Sequence, residues 1–115
     1  MDTHHGEIGR WLAKHTPEDA VVAVDNIGYI GYFSRRRILD MTGLIQKEVR
    51  EGIARTGNRR YAIETFRPDW LAIQDRGSTP KYTPSASWLE EHGYRPVFVV
   101  PYSPTAAYRV FQRVR

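Results

Sequence analysis

The chain has 115 residues, 41% of them apolar and 26% charged, with 14 arginines, three lysines, no cysteine and a formal net charge of +4. That length predicts one domain, residues 1–115, able to bury about two-thirds of its unfolded surface, and the composition excludes a disordered chain. Disulfides and thiolate metal sites are excluded, and apolar runs of about five residues fall far short of the ~20 a membrane span needs.

In chain order, Met1 to Gly6 reads as a frayed lead-in, with His4 and His5 adjacent. Glu7 to His15 follows a helical pattern, with Ile8, Trp11 and Leu12 on one face. Thr16-Pro17-Glu18-Asp19 stops that helix. Val21 to Val24 is a continuous apolar run, expected of a strand covered on both faces. Asn26 to Phe33 carries Gly28 and Gly31 three residues apart, which on a helix would permit close approach to the sheet. Arg37 to Met41 is the second strand.

Gln46 to Arg55 is helical, with Gly57 as its stop signal. Asn58 caps a following helix that runs to about Phe66 and is expected to bury Ala62, Ile63 and Phe66. Trp70 to Ile73 is the third strand, closed by Asp75. Arg76 to Pro84 is a polar loop. Ser85 caps a short helix with Trp88 and Leu89, and Gly93 ends it in the left-handed conformation. Tyr94 to Val100 is the fourth strand, Pro101 to Pro104 a turn, and Ala106 to Val114 an alternating fifth strand that returns as a hairpin.

Strands alternating with helices predict an α/β fold: three layers around a mainly parallel sheet, in the order 2-1-3-4-5, with an antiparallel C-terminal hairpin whose fifth strand lies at the edge. In an open sheet of this kind, ligands bind beyond the C-terminal ends of parallel strands. Asp25, Asp40 and Asp75 each close such a strand. Three converging carboxylates would need a cation, an arginine or a polyol, and oxygen ligands suit magnesium or calcium. Asn26 beside Asp25, and Tyr82 in the polar loop, complete the candidate ligand-binding set. The plainer alternative is that each aspartate caps the next turn or pairs with Arg35, Arg36 or Arg76.

Arg35-Arg36-Arg37 enters the second strand at the end opposite the aspartates, beside Tyr32 and Phe33. It could meet an anionic headgroup or pyrophosphate, or form a solvated turn. His15 and His92 fall near helix C-termini, where they complement the dipole. Dinucleotide and phosphate-loop glycine motifs are missing, as are HExxH and GxSxG. Basic residues are spread among acidic ones rather than gathered in a stripe, which argues against nucleic acid as a partner.

The run Trp11-Leu12, Thr16-Pro17-Glu18-Asp19-Ala20, Val22-Ala23-Val24-Asp25-Asn26-Ile27-Gly28, Ile30-Gly31-Tyr32-Phe33-Ser34, Arg36-Arg37-Ile38, Asp40 and Gly43-Leu44, followed by Pro68-Asp69-Trp70, resembles a known domain. It is similar to the soluble C-terminal domain of bacterial polyprenyl-phosphate-sugar-dependent membrane glycosyltransferases, of the dolichyl-phosphate-mannose–protein mannosyltransferase-like family. The resemblance implies a piece of a multi-pass enzyme at the extracytoplasmic face of the bacterial membrane. It implies as partners the membrane-embedded part of the same polypeptide, a polyprenyl-phosphate sugar or a glycan acceptor. The family's catalytic acidic residues belong to loops between membrane helices that are not in this sequence. No catalytic residue therefore carries over, and the expected role is that of a non-catalytic accessory domain. The alternative is a free-standing small-ligand or metal-binding α/β module.

Overall fold

A computed structural model of the chain describes residues 3–25, 34–41, 46–75, 84–104 and 106–114. Helix α1 (Thr3–His15) leads into strand β1 (Val21–Val24) and then β2 (Arg37–Asp40); α2 (Lys47–Thr56) and α3 (Tyr61–Phe66) precede β3 (Trp70–Asp75). Helix α4 (Ala86–Glu91), β4 (Tyr94–Ser103) and β5 (Ala106–Arg113) follow. The first helix begins at Thr3, so part of the expected lead-in is already helical. The glycine-spaced helix expected over Asn26 to Phe33 lies outside the described residues.

Local chemistry accounts for most boundaries. Gly57 ends α2 at φ 71°, and its N–H donates to the Ile53 carbonyl at 2.7 Å. Asn58 was expected to cap the next helix, but Arg60 holds that position; Asn58 instead organises the turn before it, its side-chain oxygen accepting from the Arg60 N–H at 2.9 Å while its amide donates to Glu64 at 2.7 Å. Ser85 caps α4 by accepting from the Trp88 N–H at 3.1 Å, and Gly93 follows that helix at φ 90°. These bonds satisfy backbone donors and acceptors that a helix end leaves open.

The five strands form one mixed sheet in the order β2-β1-β3-β5-β4. β1 pairs in parallel with β2 and β3, while β5 runs antiparallel to both β3 and β4. Two expectations are corrected here. The sheet is mixed rather than mainly parallel, and β4, not β5, occupies the edge.

The reason lies in the two hairpin strands themselves. Pro96 and Pro101 both fall in β4, and a proline has no N–H to give to a second neighbour, so a strand carrying two of them belongs at a margin. In β5, consecutive Val110 and Phe111 are both fully buried, which requires cover on both faces of the sheet. β4 also shifts register between Pro96 and Phe98 and again between Pro101 and Ser103, where a turn was expected.

Alternate strand residues feed two apolar clusters. Ile8 and Leu12 of α1 join Val22, Val24, Trp70, Ala72, Tyr108 and Val110. Val49, Ala62, Ile63 and Leu89 of α2, α3 and α4 join Ala23, Leu39, Leu71, Ile73 and Phe111. Each large apolar side chain so buried stabilises the fold by about 1.5–3 kcal/mol.

Candidate functional site

The parallel register brings the C-terminal ends of β1, β2 and β3 to one rim of the sheet, with Val24 level with Asp40 and Ala72. Asp25 follows β1, and its carboxylate accepts from the Gln74 backbone N–H, at 3.1 Å to one oxygen and 3.3 Å to the other. It thereby fastens the end of β1 to β3. Asp40 is only 1% exposed, and its N–H donates to the Gln46 side chain. The backbone of Asp75 pairs with Ala107; the Asp75 side chain, Asn26 and Tyr82 lie outside the described residues. Among the described residues no group of three or more histidines, aspartates or glutamates is placed to hold a metal ion.

The arginine triplet divides its work. Arg36 caps the C-terminus of α1: its Nη2 donates to the carbonyls of Ala13 and Thr16, both at 2.8 Å, and its Nε to the Thr16 hydroxyl at 2.9 Å. That hydroxyl in turn donates to the Leu12 carbonyl at 2.5 Å. The guanidinium thus meets the negative end of the helix dipole. Arg35 takes a positive φ of 55° just before the strand. Arg37, exposed, begins β2 level with Val21.

Both helix-end histidines behave alike. His15 donates from Nδ1 to the Trp11 carbonyl at 2.9 Å and stacks on the Trp11 ring at 4.4 Å. His92 does the same to Trp88, at 2.7 Å and 3.7 Å. A carbonyl only accepts, so Nδ1 carries the proton in each.

At the rim opposite the aspartates the surface is concave. A groove of about 530 Å³ opens where β1 and β2 begin, where the chain enters β3 and where β5 ends. Val21, Ile38, Leu39 and Val49 give it an apolar floor; Arg37, Arg67 and Arg113 stand around it with Glu48 and Asp69.

One wall of the groove, the crossing from α3 to β3, is held at several points. Arg67 caps α3 at φ 44°, unusual for a residue with a side chain, and its N–H donates to the Ile63 carbonyl. Arg113 donates from Nη1 to the Arg67 carbonyl at 2.9 Å and forms an ion pair with Asp69 at 2.5 Å; its N–H donates to the Asp69 carbonyl at 2.8 Å. The buried Tyr94 hydroxyl donates to the Pro68 carbonyl at 2.7 Å, and burial pushes its pKa up to about 12.

Phe66 was expected in the core, but it is 47% exposed at the groove, packing edge-on against Tyr61 at 6.2 Å. The left-handed turn at Arg67 ends α3 after six residues, so the face that buries Ala62 and Ile63 does not continue over the sheet. Phe66, Arg67, Asp69 and Arg113 were not singled out from the sequence as binding residues. An apolar residue beside a helix-terminating Arg-Pro step was the one local signal.

No helix among the described residues is long and apolar enough to cross a membrane. No curated protein and no solved structure matches the chain. A family model described as a domain of unknown function, DUF8728, matches residues 1–112, and over that span the chain belongs to this family.

Proposed function

We propose that this chain is a non-catalytic, extracytoplasmic accessory domain of a membrane glycosyltransferase that uses a polyprenyl-phosphate sugar. In this reading it packs against the membrane-embedded part of its own polypeptide and takes part in recognising acceptor or donor. The fold is read as three layers, with α1 on one face of the sheet and α2, α3 and α4 on the other; the two apolar clusters support that arrangement.

The observation that carries the proposal is how the residues behind the resemblance are employed. Arg36 and Thr16 are bound to each other and to the end of α1, Asp25 is bound to the backbone of β3, and Asp40 is sealed in the interior. Side chains so engaged hold a frame rather than pass protons to a sugar. Two experiments test the reading. The native gene upstream of Met1 should encode hydrophobic spans on the same polypeptide, and the isolated chain should transfer no sugar from a polyprenyl-phosphate donor. A gene product without such spans, or turnover by the isolated chain, overturns it.

The groove favours a second reading, a free-standing small-ligand module. Its metal form would place magnesium or calcium at Asp25, Asp40 and Asp75. Calorimetric titration with either ion, compared with Asp25→Ala and Asp40→Ala, tests that form; absence of heat and of any thermal shift discards it.

A further inference from the structure

We infer that the groove at the N-terminal ends of β1 and β2 is a two-fold interface for a second copy of this chain. Phe66 of each copy enters the groove of the other, and Arg37 of each pairs with Glu48 of the other. The inference leaves the parent-enzyme reading untouched, because it uses the opposite rim of the sheet from the aspartates. A copy seated there would displace the small ligand of the second reading.

The charges come first. Arg113 is paired with Asp69 and Arg67 is already engaged, so the charges left in the lining are one cation, Arg37, and one anion, Glu48. Both are exposed, and neither makes an ion pair or a side-chain hydrogen bond with a described residue. They cancel, which leaves the groove no excess charge to hold an ion. They also stand on separate elements, Arg37 opening β2 and Glu48 in the first turn of α2. That suits a surface that must match itself: in an isologous interface, where residue i meets residue j, j also meets i. A two-fold axis running between Arg37 and Glu48 therefore forms the pair twice and sets no like charges in contact.

Shape follows the same logic, because the patch holds a projection beside a hollow. Phe66 is 47% exposed, and it is the one aromatic among the large apolar side chains left exposed in the described residues. Next to it the groove of about 530 Å³ is floored by Val21, Leu39 and Val49. Aromatic anchors seated in pockets dominate the energy of such contacts, while charges at the rim fix the register. Phe66 is held before any partner arrives: its ring packs edge-on against Tyr61, and Arg113 and Tyr94 donate to the carbonyls of the next two residues, Arg67 and Pro68. An anchor already ordered loses little freedom on association. One ring and one groove from each copy make a small contact, in the class below about 1,200 Å² of buried surface whose complexes are weak and exchange quickly.

The test follows the 115-residue chain by sedimentation equilibrium and amide NMR from about 10 µM to about 1 mM. A reversible dimer with a Kd of about 20–200 µM is expected, with dilution shifts centred on Arg37, Glu48, Val49 and Phe66. Arg37→Glu sets carboxylates against carboxylates and should weaken the dimer at least about tenfold, as should Glu48→Arg with guanidiniums. An equimolar mixture of these two variants restores both pairings and should associate within about threefold of the parent. Phe66→Ser should weaken the dimer about tenfold, whereas Arg59→Gln, an exposed arginine not in the groove lining, should leave it unchanged. Amide spectra unchanged outside the groove will show that the single variants fold. A chain still monomeric at about 1 mM, dilution shifts centred away from the groove, or a mixture of the two charge variants that stays monomeric overturns the proposal.

Discussion

Replacing Arg36 by methionine should destabilise the protein by about 2–4 kcal/mol. The estimate rests on three donated bonds, two to the Ala13 and Thr16 carbonyls and one to the Thr16 hydroxyl. Hydrogen bonds from a charged group stabilise by about 1.5–3 kcal/mol each, and a cation at a helix C-terminus by about 0.3–1 kcal/mol. Water can reach part of this half-buried site and replace some of the lost bonds, which brings the total down. Methionine keeps the apolar stem, so the loss reports on the guanidinium.

Arg36→Lys should fall between, losing about 1–2 kcal/mol, because an ammonium keeps the charge but cannot span both carbonyls and the hydroxyl at once. Thermal and urea unfolding followed by circular dichroism measure both variants. One kcal/mol corresponds to about 4 °C in a chain of this length, so Arg36→Met should melt about 8–16 °C lower. Combining it with Thr16→Val in a double-mutant cycle should give a coupling of about 1 kcal/mol. If Arg36→Met loses less than about 0.5 kcal/mol, or Arg36→Lys is as stable as the parent, the cap does not hold α1 to the sheet as argued.

Two further outcomes follow from the packing. Tyr94→Phe should cost about 1–3 kcal/mol at neutral pH, because the buried Pro68 carbonyl loses its donor. The same hydroxyl governs alkaline behaviour: an unfolded tyrosine ionises near pH 10 while the folded one keeps its proton to about 12, so the unfolded chain binds fewer protons between those values. Stability therefore falls as pH rises through that window, and urea unfolding at stepped pH should show a shallower fall in Tyr94→Phe. Gly52→Ala would normally favour a helix by about 1 kcal/mol, but here a methyl group would collide with the Tyr61 ring. It should destabilise by about 1–2 kcal/mol, and in a Tyr61→Ala background the sign should reverse; stabilisation in the parent background would refute the contact.

Much of the fold was legible because its signals are local. The run VVAV, the Gly57 stop, the Ser85 cap and the left-handed Gly93 are each decided by a few neighbouring residues. Strand order is not of this kind. A short connection between β4 and β5 makes them neighbours whichever of the two joins β3. Pro96, Pro101 and the adjacent pair Val110-Phe111 held the answer, but only when the N–H groups and faces of both strands were weighed against each other.

The rims divide in the same way. Aspartates at strand ends stand out in a sequence; Asp25 bonds the backbone of β3 and Asp40 is buried. The groove draws on residues from Val21 to Arg113, so no short stretch announces it. Arg37 was correctly placed at the end away from the aspartates, but its neighbours there, Arg67 and Arg113, come together only after folding.

The interior position of β5 has a consequence for biosynthesis. Of the five described strands, β5 is translated after the others yet joins β3 to β4, so residues up to Arg113 must emerge from the ribosome before the sheet can close. Until then β3 presents an unsatisfied ladder and Phe111 has yet to enter its cluster. A nascent chain stalled before Ala106 should therefore be open to protease and chaperone alike, however completely α1, β1 and β2 have already formed.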